Sequence, residues 1–108
     1  MHDVMAAVKK VAPKLAEVND DVIYADIWER RELSKRDRSM ITIAALVAMP
    51  RPLSIGPHIR RGLANGLTPD EIGEIITHMA VYAGWPAAVA ACQIADEVLS
   101  EHEERDAS

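Results

Sequence analysis

The chain has one cysteine, no phenylalanine and five glycines among 108 residues. A single thiol excludes an internal disulfide and any multi-cysteine zinc site. Aromatics make up only 4% although hydrophobic residues reach 49%. The apolar content is therefore Ala, Ile, Leu, Val and Met, which favours closely packed helices over a β-sandwich. The four histidines show no metal-ligand spacing, so no metal is expected. Positive charge is also in deficit: 12 basic against 17 acidic residues give −5, which weighs against a nucleic-acid partner. Basic clusters at Arg30-Arg31, Lys35-Arg36 with Arg38, and Arg60-Arg61 read as solvated surface or as attractors of a small anion. No long apolar run is present. Met40 to Met49 is too short to cross a membrane and is closed by Pro50. The start, Met1-His2-Asp3-Val4-Met5, lacks a signal-peptide pattern. The expectation is one cytoplasmic domain over residues 1–108.

What is present is helical patterning. Five or six helices are expected and no strand. The first covers Asp3 to Val11. Pro13 restarts the chain, and Lys14 to Trp28 reads as a second helix with Leu15, Val18, Val22 and Ile23 inward. Asn19-Asp20-Asp21 is its point of interruption, and Trp28 its anchor. Ser34 caps a third helix, with Asp37 as capping-box partner, and from Ser39 to Met49 that helix is apolar almost all round. Such a helix belongs in a bundle centre or a subunit interface. Pro50-Arg51-Pro52 is a break, and Gly56-Pro57 opens a short helix ending at Asn65-Gly66. The next helix is the most fully specified. Thr68 is a good N-cap, Pro69 fits the first helical position, and Glu71 can close a capping box. Ile72, Ile75, Ile76, Met79, Ala80 and Ala83 form its apolar stripe, and Gly84 ends it. A last helix runs from Pro86 to His102, burying Ala88, Ala91, Ile94, Ala95, Val98 and Leu99. Residues 101–108 read as a charged, frayed tail. Short connections imply a compact antiparallel bundle.

Several residues carry chemistry. Glu71, Glu74, His78 and Tyr82 share one helix face, which makes them candidates for proton transfer. A carboxylate one turn before His78 would raise its basicity and orient its ring, although an ordinary surface pair fits the spacing too. Glu71 also reads as a simple cap. His58, expected at a helix N-terminus, reads as a proton carrier or carboxylate ligand, or else as a capping histidine. Arg38, in the first turn of a helix that soon becomes apolar, is the first candidate to grip a carboxylate; Arg51 is the second. Tyr82 and Trp85 read as packing residues or as a substrate platform, and Cys92 as a small buried hydrophobe.

Blocks of the chain resemble the carboxymuconolactone decarboxylase family, the all-helical group that includes the alkylhydroperoxidase AhpD. Trp28 and Arg30 followed by Leu33-Ser34-Lys35-Arg36-Asp37-Arg38-Ser39 are similar to its W-x-R-x-x-L-S-x-R-D-R-S entry. His58 with Gly62-Leu63-Ala64-Asn65-Gly66-Leu67-Thr68 resembles its H-x-x-x-A-L-x-N-G-x-T block. Glu71-Ile72, Glu74-Ile75, His78, Tyr82 and Gly84-Trp85-Pro86 resemble the last block. The match runs from Pro13 to Leu99.

The resemblance implies an AhpD-like bundle and a cofactor-free lyase of aromatic catabolism, decarboxylating a small unsaturated lactone acid. It implies His58, His78 and Glu71 as catalytic residues, and Arg38, Arg51, Tyr82 and Trp85 as substrate-binding residues. It further implies a homo-oligomer, a trimer or hexamer. The departures separate the branches. The peroxidase branch carries C-x-x-C-x-x-x-H with an upstream Glu. Aligned on His58, its cysteines fall on Arg51 and Ser54 and its Glu near Ser39. A thiol peroxidase is therefore disfavoured. The acidic residue usual four before the histidine in decarboxylases is also Ser54, and Pro57 directly precedes His58. That loop leaves a non-catalytic small-acid-binding or assembly protein as a further alternative.

Overall fold

The structure is a computed structural model and describes residues 4–107. It contains six α-helices: α1 (Val4–Val11), α2 (Pro13–Val18), α3 (Lys35–Ala48), α4 (Pro52–Ala64), α5 (Pro69–Ala83) and α6 (Trp85–Ala107). A π-helical segment, Asn19–Tyr24, and a 3-10 turn, Ile27–Glu29, lie between α2 and α3. No strand occurs among the described residues, and the expected all-α class holds. The chain divides into two compact units, Met1–Lys35 and Arg36–Ser108.

In the first unit the expected helix over Lys14 to Trp28 is not continuous. Its α-helical part ends at Val18, and the Asn19-Asp20-Asp21 run widens into a π-turn, with the Ala25 amide donating to the Asp20 carbonyl at 3.0 Å. Short polar side chains that compete for backbone groups favour such a change. The change of helical pitch also alters which residues face inward. Leu15 and Val22, expected inside, are exposed, whereas Ala16 and Trp28 are buried. Trp28 stacks on Tyr24 with ring centroids 5.7 Å apart. Helix α1 buries none of its residues. Asp3, expected as its first residue, lies outside the described residues.

The second unit holds the main core. Ile43 and Val47 of α3, Ile55 and Ile59 of α4, Ile72 and Ile76 of α5, and the Ala88-Ala91-Ala95-Val98 stripe of α6 form one cluster. Helix α6 packs against both α4 and α5. Three alanines in its stripe let the helices approach closely, which accounts for a core built without phenylalanine. Helix α5 forms as its signals require: Thr68 Oγ1 accepts from the Glu71 amide at 3.1 Å, and the Glu71 carboxylate accepts from the Thr68 amide at 2.9 Å. Gly84 follows it with φ of 109°, a conformation costly for any residue with a Cβ.

Two boundaries differ from expectation. Helix α4 does not open at Gly56-Pro57 but starts at Pro52 and carries Pro57 inside. Pro57 is exposed, so the Leu53 carbonyl it cannot serve lies near solvent. Gly56 is buried; a Cβ there would stand 3.6 Å from Ile94 and 3.7 Å from Val98, both of α6. The glycine therefore packs on α6 inside the helix rather than breaking it. The tail expected to fray from Glu101 is helical to Ala107. Arg60 of α4 holds Glu101 at 3.2 Å, and Arg105 lies 3.7 Å from the same carboxylate. These exposed pairs are individually weak but keep the late turns of α6 aligned with α4.

Candidate functional site

The α5 face expected to carry proton chemistry does border an opening. A groove of about 600 Å³ lies between α3 and α5. Its floor is apolar, made by Met40, Ile41 and Ala44 of α3 with Ile75 and Met79 of α5; its rim is Asp70, Glu71, Glu74 and His78. The nearly all-apolar character of α3 explains the floor, since that helix has apolar side chains left over after Ile43 and Val47 enter the core. Glu71 is already engaged. Besides its capping role it pairs with Arg36 of α3. Both side chains are partly exposed, so the pair ties the two helices together without a buried-charge penalty. His78 stacks obliquely on Tyr82, centroids 4.9 Å apart, and among the described residues no hydrogen bond or ion pair joins it to Glu74.

His58 lies elsewhere, near the middle of α4 and half-buried rather than at a helix N-terminus. Burial lowers the basicity of His58 below its ordinary value of 6.5, and the Arg61 guanidinium one turn on lowers it further. Its Nδ1 is shielded from solvent, as is Nε of Arg38. Arg38 is half-buried in the first turn of α3, and its carbonyl accepts from Thr42 Oγ1 at 2.7 Å. Helices α3 and α4 meet beside these residues. Asn65 Nδ2 donates to the buried Ser39 hydroxyl at 3.0 Å, and a Cβ on Gly62 would stand 3.6 Å from that of Ser39. Arg38 adjoins Ser39, and His58 is one turn from Gly62.

The remaining candidates separate. Arg51 is exposed and donates to the Met49 carbonyl and, at 3.1 Å, to that of Pro50, closing the turn before α4. Tyr82 and Trp85, expected to pack, are 75% and 74% exposed. The buried stripe of α5 turns Tyr82 outward, and Trp85 stands at the start of α6 ahead of its buried residues. Cys92, expected to be buried, is exposed because the α6 stripe runs through its neighbour Ala91. Of the candidates, Glu71, Glu74 and His78 line the groove; Arg38, Arg51, His58, Tyr82 and Trp85 do not. Asp70 and the α3 floor were not singled out from the sequence. Asp70 carries no periodic signal, whereas a helix apolar on every side was a sign that one face stays uncovered. No group of three His, Cys, Asp or Glu among the described residues is placed to hold a metal ion, and no described helix is long and apolar enough to cross a membrane.

Comparison with known proteins shows what the chain is similar to. Residues 13–97 match the family model described as carboxymuconolactone decarboxylase family. The chain is 40% identical over 78 residues to a 4-carboxymuconolactone decarboxylase of Acinetobacter baylyi, covering 72% of this chain and 58% of that one. It is 30% identical over 78 residues to a nitrosuccinic acid decarboxylase of Metarhizium robertsii, covering 72% and 54%. It is also 30% identical over 106 residues to an uncharacterized 15.0 kDa protein of Paracoccus denitrificans, covering 95% and 78%. The chain thus spans little more than half the length of the two decarboxylases.

Proposed function

The chain belongs to the carboxymuconolactone decarboxylase family, and we propose that it is a cofactor-free decarboxylase of a small carboxylated acid. The observation that carries this reading is that two relatives with different substrates, a lactone acid and a nitro acid, are both named decarboxylases. The two named substrates share a chemistry. Each pairs a carboxylate with a second group, a lactone carbonyl or a nitro group, that can take up an electron pair. Cleavage of the bond to the carboxylate carbon releases CO₂ and leaves that pair on the acceptor oxygen. A proton then goes to carbon.

We place this chemistry at Arg38 and His58. A guanidinium can hold a carboxylate in bidentate fashion, and Arg38 is half-buried and adjoins Ser39, which bonds Asn65 where α3 meets α4. His58, its basicity lowered by burial and by Arg61, is a neutral ring at neutral pH. A neutral imidazole donates an N–H to a developing oxygen anion without needing to shed a proton first. The α3–α5 groove is a poor seat for an acid, because Asp70, Glu71 and Glu74 would repel a carboxylate. Glu71 then acts as a positioning residue that ties α5 to Arg36, and His78, Arg51, Tyr82 and Trp85 lie outside the reacting centre. A thiol peroxidase would have to use Cys92 alone, so Cys92→Ser leaves decarboxylation unchanged in this reading. Self-association into a trimer or hexamer belongs to the same proposal, supported by the exposed Ile41, Leu53, Val81, Tyr82 and Trp85.

The test is incubation with an unsaturated lactone acid and with a nitro-substituted dicarboxylic acid, following ultraviolet absorbance and CO₂ release. Turnover of either, with kcat reduced on the order of 100-fold in Arg38→Ala and in His58→Ala, is the expected result. Full activity in both variants would sink the assignment of the centre. Binding without CO₂ release would instead leave a small-acid-binding protein.

A further inference from the structure

We propose that the pocket between α4 and α6 is a binding site for a short aliphatic carboxylate, separate from the Arg38–His58 centre. Its volume is about 190 Å³, and it is lined by Arg60, Leu63 and Ala64 of α4 and by Val98, His102 and Arg105 of α6. Helical spacing makes both walls: positions 60, 63 and 64 share one face of α4, and positions 98, 102 and 105 share one face of α6. Every lining residue belongs to the second unit, within which α4 packs on α6, so the walls owe nothing to the first unit. Val98, His102 and Arg105 also lie past residue 97, where the family match ends. The α6 wall therefore comes from residues that the family match does not cover.

The chemistry of the lining selects the ligand. Val98 is buried and Leu63 half-buried, which gives the pocket an apolar side. One arginine comes from each helix, and no acidic residue is in the lining. In a chain of net charge −5 this is a local excess of positive charge. The α3–α5 groove is the reverse, apolar with an acidic rim. The arginines already meet a carboxylate, and meet it loosely. Glu101 Oε2 accepts from Arg60 Nη2 at 3.2 Å and from Arg60 Nε at 3.4 Å, and Arg105 Nη2 lies 3.7 Å from that same oxygen. Well-formed pairs of this kind are shorter, about 2.7–2.9 Å, and a guanidinium fork suits two oxygens side by side. Glu101 meets the Arg60 fork with one oxygen. A ligand carboxylate, not tethered to α6, can present both. Exposed ion pairs are weak, so Glu101 gives way readily. Arg60 is also well placed. Gly56, one turn earlier, is buried, and a Cβ there would stand 3.7 Å from both Arg60 Nη1 and Val98. The bare glycine leaves the guanidinium room against the α4–α6 seam. His102 Nε2 lies 3.4 Å from Asp106 Oδ2, one turn on, so the two arginines carry the charge of the site. A volume of about 190 Å³ holds roughly six water-sized groups, which is a carboxylate with a short tail such as butanoate.

Amide chemical shifts of the full chain, titrated at constant ionic strength with butanoate, acetate, inorganic phosphate and butylammonium, test this. Butanoate is expected to shift the amides of residues 60–64 and 98–105 and to saturate in the millimolar range. Acetate, two methylenes shorter, should bind about tenfold more weakly, and butylammonium should not bind. Arg60→Gln and Arg105→Gln should each weaken butanoate by about tenfold. Glu101→Gln, which removes the competing carboxylate, should instead tighten it severalfold. Loss of an ion pair that only joins the helices would move all three variants the same way. Arg38→Ala should leave the butanoate shifts unchanged. No saturable shift in wild type, or weaker binding in Glu101→Gln, would overturn the proposal. Phosphate binding as tightly as butanoate would overturn the aliphatic ligand and leave a bare anion site. Shifts centred on Arg38 and His58 and lost in Arg38→Ala would overturn this site while supporting the other. None of these outcomes depends on decarboxylation, so failure of that reading leaves the result readable.

Discussion

His58 is a charge-capable group placed where charge is unwelcome. Burial and the Arg61 guanidinium both disfavour its protonated form, so folding lowers its proton affinity. In the unfolded chain the ring titrates near its ordinary 6.5. Above that value both states are neutral and His58 leaves stability unchanged with pH. Below it the unfolded chain takes up a proton that the folded one resists, so stability falls as pH drops from 6.5 toward the lower folded value. Urea midpoints for wild type and His58→Gln should therefore run parallel above pH 7 and diverge below about pH 6.5, wild type falling more steeply. Parallel curves throughout would mean that the ring is solvated. The same desolvation gives the residue its proposed role, since a ring that stays neutral is a donor at a developing oxyanion.

Two glycines within helices show how packing sets the sign of one substitution. Gly62 lies in α4, where an added Cβ would meet Leu67 Cδ1 at 2.9 Å and Ile43 Cδ1 at 3.1 Å. Leu67 and Ile43 are themselves buried and have little room to withdraw. Gly73 lies exposed in α5 with nothing within 4 Å of an added Cβ. Alanine gains roughly 0.5–1 kcal/mol over glycine in a helix interior, whereas overpacking costs about 1–3 kcal/mol. Chemical denaturation should find Gly73→Ala stabilised by about 0.5–1 kcal/mol and Gly62→Ala destabilised by about 1 kcal/mol. A stabilised Gly62→Ala would show that the α3–α4 contact has room for a methyl group. The same elements show what a sequence discloses. Helix α5 was legible from end to end because Thr68, Pro69, Glu71 and Gly84 act locally, each within a turn of its partner. Helix α4 was not, because Gly56-Pro57 carries a local start signal, whereas the helix begins a turn earlier at Pro52 and runs through both, with Gly56 packed on α6. The Glu71-Glu74-His78 face followed from helical periodicity alone. That Glu71 is held by Arg36 did not, since that partner is 35 residues away. The exposure of Cys92 and Tyr82 likewise depended on helix rotation, which apolar composition leaves undetermined when alanines fill both sides.

Across the whole chain, burial is distributed unevenly. The buried hydrophobic side chains lie in the second unit apart from Ala16 and Trp28. The first unit is held by helix α2, the π-turn and one Tyr24–Trp28 stack, with α1 contributing no buried residue. Units with few buried apolar contacts open at lower free energy than the core. Amide hydrogen exchange should therefore rank α4, α5 and the first half of α6 slowest, with α1 and α2 exchanging earlier through opening of the first unit alone. Protection of α1 matching that of α5 at every dilution would instead make the chain one cooperative body whose first unit never opens separately.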